Sequence, residues 1–86
     1  MTGTWTSYSK DISSETMGVF KKVAEKLVGV QYEPLAVATQ VISGTNYRFF
    51  CNMQGVYPDA INEAAIMQIY APAGGECHIT EIIKVS

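Results

Sequence analysis

The sequence predicts an α+β domain, one N-terminal helix held in an antiparallel sheet of four to five strands, and three features carry that expectation. Met17, Phe20, Ala24 and Leu27 recur at three- and four-residue steps, the spacing of a single helix face. Tyr47, Phe49, Cys51 and Met53 alternate with Arg48, Asn52 and Gln54, the period of a half-buried antiparallel strand. Breaks at 41–44, 55–63 and 71–75, each carrying glycine or proline, separate strand-like segments that follow one another along the chain. Wrapping a sheet around the helix is the economical way to bury one apolar stripe in so short a chain.

Size and composition bound the function. With 86 residues the chain is one domain spanning 1–86, and its core must be compact and well patterned. Hydrophobic residues make up 48% and charged residues 16%, which places it among globular rather than disordered sequences. The net charge is −2, and Lys21, Lys22 and Lys26 are the only grouping among the six basic residues. Phosphates would find no basic surface, which argues against nucleic acid as a partner. No apolar run approaches the roughly 20 residues that span a bilayer, so no membrane role is expected. The N-terminus has neither a basic patch nor an apolar h-region, so the chain as given reads as soluble and cytoplasmic, with secretion after processing left open.

Taken in order, residues 1–11 are rich in Thr and Ser with Trp5 as their largest apolar group, the composition of a flexible arm or a loose first strand. Ser13 or Ser14 can cap a helix from about 13 to 27, and Glu15 puts negative charge in its first turn. Lys21, Lys22 and Glu25 point away from the apolar stripe. Gly18 costs this helix about 1 kcal/mol relative to alanine unless the missing side chain admits a close backbone approach. Gly29 ends the helical period, and Val28 to Ile42 reads as extended, with Pro34 marking a bulge or an edge. Thr45 to Gln54 is the next strand and pairs with the one before it. A loop from Gly55 to Glu63, a strand from Ala64 to Tyr70, a turn over Ala71 to Gly75 and a strand from His78 to Val85 complete the chain. In the last strand Ile79, Ile83 and Val85 are expected on one side and Ile82 on the other.

Catalytic and metal chemistry find no support in the residues. Cys77 and His78 are adjacent in the sequence, and neighbours in a strand project to opposite faces, so the imidazole cannot activate the thiol. Two cysteines and one histidine fall short of a zinc site and lack ligand spacing. Cys51 and Cys77 are too few for a disulfide framework and are expected as free thiols. Asp59 and Glu63 read as a solvated connection. The expectation is a protein that is not an enzyme, with no catalytic residues, no metal and no cofactor.

The remaining signal is the loop Gln40-Val41-Ile42-Ser43-Gly44. Hairpin tips are usually polar, so Val41 and Ile42 beside Gly44 read as apolar surface presented to something else. Followed by Thr45-Asn46-Tyr47, the run resembles the Gln-x-Val-x-Gly first inhibitory hairpin of the cystatins, with Ile42 where the family has valine. The order helix, strand, hairpin, strand, loop, strand, hairpin, strand resembles the cystatin fold from residue 12 to 86. The cysteine usage looks like the disulfide-free stefin arrangement.

That resemblance implies a reversible inhibitor of papain-like cysteine proteases, which enters the active-site cleft with a wedge of three segments. Gly3 would match the glycine of the N-terminal arm, Gln40, Val41, Ile42, Ser43 and Gly44 the first hairpin, and Pro72, Ala73 and Gly74, with Gly75, the second. The second hairpin departs from the family, because Ala71 and Ala73 stand where larger anchoring side chains are expected. Trp5 either compensates from the arm or folds back onto the sheet. The alternative is a non-inhibitory interaction or assembly module on the same scaffold. The resemblance also implies a monomer with a possible domain-swapped dimer, the hinge lying at Val41 to Gly44 and its motive being backbone strain at Ile42.

Overall fold

The computed structural model describes residues 3–85, and Met1, Thr2 and Ser86 lie outside the described residues. One helix, α1 (Ser14–Ala24), precedes four strands, β1 (Val30–Ile42), β2 (Gly44–Gly55), β3 (Asn62–Pro72) and β4 (His78–Val85). The strands form one open antiparallel sheet in the order β1-β2-β3-β4, so every strand neighbours the next in sequence.

Ser13 is the helix N-cap, its Oγ accepting a hydrogen bond from the Thr16 amide at 3.2 Å, which satisfies one orphan donor of the first turn. Glu15 lies in that turn, where the helix dipole favours negative charge. The helix ends three residues before the apolar periodicity does. Lys26 and Leu27 donate to the carbonyls of Val23 and Ala24 at 3.3 and 3.0 Å, so the last turn tightens, and Gly29 at φ 86 redirects the chain. Leu27 still packs against the core, from outside the helix.

The expected stripe meets the sheet. Phe20 and Val23 are buried against Val37 of β1, Phe49 and Cys51 of β2, and Met67 and Ile69 of β3. Phe20 meets Phe49 edge-on with centroids 5.0 Å apart, a favoured aromatic geometry. Met17, Ala24 and Leu27 pack around this centre. Among the described residues, no atom outside the helix's own backbone comes within 4 Å of where a Cβ on Gly18 would sit, so the close backbone approach that would justify this glycine is not seen there.

Pairing partners decide the strand ends. β3 runs through Ala71 and Pro72, which the sequence marks as turn, because Thr45 and Gly44 of β2 lie opposite them. Pro34 marks the register shift in β1, as its missing donor requires. A second shift lies between Gln68 and Ile69, where Thr80 of β4 is the extra residue and its Oγ1 donates to the Gln68 carbonyl at 3.2 Å. This bulge corrects the face pattern of β4. Ile79 stands opposite buried Ile69, and Ile82 opposite buried Met67, so both lie on the helix side, whereas Glu81, Ile83 and Val85 lie on the other. Cys77 falls just before β4 rather than within it.

The arm is a loose strand rather than a free tail among the described residues. Gly3 and Thr6 donate to the carbonyls of Val41 and Thr39 at 3.2 and 2.9 Å, and Ser9 and Val37 exchange amide bonds at 2.9 Å. The upper half of β1 is therefore covered at its outer edge, the usual protection of an exposed edge strand. From there Trp5 and Tyr8 turn onto the helix-free face. The Trp5 ring stacks on the Arg48 guanidinium at 3.9 Å, and Tyr8 meets Phe50 edge-on at 6.4 Å.

Candidate functional site

The candidate site is one end of the sheet, where three segments distant in sequence come together. The first is the tip joining β1 to β2. Ile42 pairs with Gly44 and leaves Ser43 alone at the turn, and this tightness requires an unusual backbone angle at one residue. Gly44 supplies it with φ 135, and a side chain there would press on the Ala71 carbonyl and the Tyr70 hydroxyl, each 2.8 Å from the Cβ position. The strain expected at Ile42 is absent, since Asp59 is the only non-glycine residue with positive φ among the described residues. Val41 is 65% exposed and Ser43 is exposed, while Gln40 and Ile42 are half-buried.

The arm is the second segment. A Cβ on Gly3 would collide with the Val41 carbonyl, so only glycine lets the arm lie this close to the hairpin. Gln40 fastens the two together, its Nε2 donating to the Gly3 carbonyl at 2.9 Å while its Oε1 accepts from Asn46 Nδ2 at 3.0 Å. With both ends of its amide engaged, Gln40 is committed to holding the arm. Trp5 leaves the tip and packs over Arg48, the second of the two placements open to it in the sequence.

The third segment is the β3–β4 hairpin. Pro72 pairs with Gly44, so the second hairpin begins where the first turns, and Tyr70 Oη donates to the Ser43 carbonyl at 3.0 Å. Beyond it Ala73 and Gly74 are exposed, Gly74 at φ 75. The structure thus brings together Gly3, Gln40 to Gly44, and Pro72 to Gly74, and sets Trp5 back on the sheet face. Asn46 and Tyr70, which tie these segments to one another, carry no sequence signal of that role beyond their hydrogen-bonding capacity.

Chemically this end offers exposed backbone, small side chains and the apolar Val41, Ile42 and Pro72. Among the described residues no group of three His, Cys, Asp or Glu could hold a metal, and no helix is long and apolar enough to cross a membrane. Cys51 and Cys77 are free thiols. Burial pushes the Cys51 thiol up to about 12, so it stays protonated and unreactive. His78 meets Tyr70 edge-on at 5.8 Å.

A separate open groove of about 730 Å³ lies between α1 and the start of β1, lined by Met17, Phe20, Ala24, Leu27 and Tyr32 with Lys21, Glu25 and Glu33 at its rim. It lies at the opposite end of β1 from the three segments. Compared with known proteins, the chain matches no family model, no curated protein and no solved structure.

Proposed function

We propose that the chain is a reversible inhibitor of papain-like cysteine proteases, a cystatin-like domain of stefin type that fills the active-site cleft with Gly3, the Gln40–Gly44 hairpin and the Pro72–Gly74 hairpin. The observation that carries this reading is the convergence of these three segments at one end of the sheet, with Gly3 bonded to Val41 and Gly44 paired to Pro72. A wedge of this kind works because its segments are already ordered, which reduces the entropy lost on binding. Gln40, Tyr70 and Asn46 supply that order. Exposed Val41 provides apolar contact, and the glycines allow close backbone approach.

Affinity should be modest, because Ala73 offers no large anchor and each tenfold loss needs only about 1.4 kcal/mol. The decisive experiment is inhibition of several papain-like enzymes by the intact chain. Competitive, reversible inhibition is expected, strengthened by Ala73→Trp, weakened by Gly44→Leu, and with faster dissociation after removal of residues 1–5. If neither the intact chain nor Ala73→Trp inhibits at high micromolar concentration, the chain is a non-inhibitory interaction or assembly module.

A further inference from the structure

The helix-free face of the sheet is unfinished in a single chain. Two rows cross it from β1 to β4, one apolar (Ala36, Phe50, Ile66, Ile83) and one carrying charge (Ala38, Arg48, Gln68, Glu81). Tyr8 packs edge-on against Phe50 and Trp5 stacks on Arg48, both on β2. At β4 no described residue covers the apolar row, where Ile83 is 47% exposed, and Val85 on the same face is 42% exposed. Among the described residues the only ion pair is Lys84–Glu63. Half-buried Arg48 donates Nε–H to Gln68 Oε1 at 3.1 Å and, among the described residues, has no carboxylate partner, and exposed Glu81 stands one strand beyond that glutamine.

We propose that this face binds a second copy of the chain, two sheets stacking face to face about a two-fold axis that runs along β3. The charges select this symmetry. An axis along β3 sets β2 of each copy over β4 of the other and keeps the rows level, so Arg48, stacked on one face by Trp5, meets Glu81 of the second copy twice, and Ile83 meets Phe50 and the Tyr8 ring packed against it twice. An axis across the strands would instead set Glu81 against Glu81 and Arg48 against Arg48. Stacked sheets cross at about 30°, and β2 and β4 lie about 4.8 Å from the axis. The crossing therefore displaces facing side chains by about 2.5 Å, within the reach of arginine and glutamate. The interface is isologous, closes at two copies, and needs no exchange of strands. It leaves the wedge end free and does not rest on the protease reading.

Sedimentation equilibrium of the full chain at neutral pH tests it. A rapidly reversible monomer–dimer equilibrium is expected, weakened by salt. Arg48→Glu and Glu81→Arg should each raise the dissociation constant about tenfold or more, since each sets like charges together. An equimolar mixture of these two variants should restore dimers, because opposite charges then face each other at both contacts. Ile83→Lys, at a solvent-exposed position, should give a folded monomer by circular dichroism and keeps the test decisive should Arg48→Glu fail to fold. A chain that stays monomeric at submillimolar concentration, a dimer indifferent to Glu81→Arg and Ile83→Lys, or a folded variant mixture that stays monomeric would overturn the proposal. So would a dimer that appears only after heating, which marks strand exchange.

Discussion

The two faces of the sheet share one set of strands and differ in how they are finished. On the helix side Phe49, Cys51, Met67 and Ile69 are wholly buried under Phe20 and Val23, and every alternate residue there is apolar along the centre of β2 and β3. On the other side apolar and charged rows alternate, and the cover is Trp5 and Tyr8 from an arm with no regular secondary structure. One face is a core, and the other is a surface with half a lid. Burial on the first follows from continuous apolar contact, whereas on the second it depends on a few aromatic contacts and on whatever docks beside them.

Substitution should separate the two faces sharply. Phe20→Ala removes the ring at the centre of the helix face and should cost about 3–5 kcal/mol in urea unfolding. A loss below about 1 kcal/mol would mean that the helix does not close this core. Trp5→Ala, on the other face, should cost only about 1–2 kcal/mol, the scale of one partly exposed cation–π stack and its packing, and should leave the core intact by near-ultraviolet dichroism of the remaining aromatics. A cost equal to that of Phe20→Ala would abolish the contrast.

Gly18→Ala tests the helix from outside the core. The position is open to a Cβ, so the change should stabilise by about 1 kcal/mol. Destabilisation would show that the helix lies closer to a neighbour than its contacts indicate.

The smallest effect at ordinary pH comes from Cys51 on the buried face. Its folded pKa is raised by burial from 9.0 to about 12, so below pH 9 the thiol is protonated in both states and the contribution is fully present. Between about 9 and 12 the unfolded chain loses the proton first, binds fewer protons than the folded one, and stability falls. Tyr47 is raised in the same direction, chiefly by burial and then by Glu15 and Cys77, and adds to the loss above pH 10. Below pH 9 a thiol reagent should label half-buried Cys77 well before Cys51. Equal labelling rates would show that the helix face opens.

Sequence by itself determined the apolar stripe of Met17, Phe20, Ala24 and Leu27, the alternation of β2, a serine cap at Ser13 or Ser14 and the order of the strands, because each follows from a local period or a local hydrogen bond. It also marked Gln40 to Gly44 and Pro72 to Gly74, because glycine, proline and misplaced apolar residues announce unusual loops one at a time, whereas Gly3 was marked only by the resemblance to the cystatins. What tertiary structure alone decided is how these meet. The bulge at Thr80 moved Ile79 to the helix face, pairing with β2 carried β3 through Pro72, and the arm found the edge of β1. Gln40 turned inward to Gly3, and Tyr70 reached Ser43. Each of these depends on the register between segments up to 38 residues apart, and register is set by which side chains must be buried together rather than by any property of one segment.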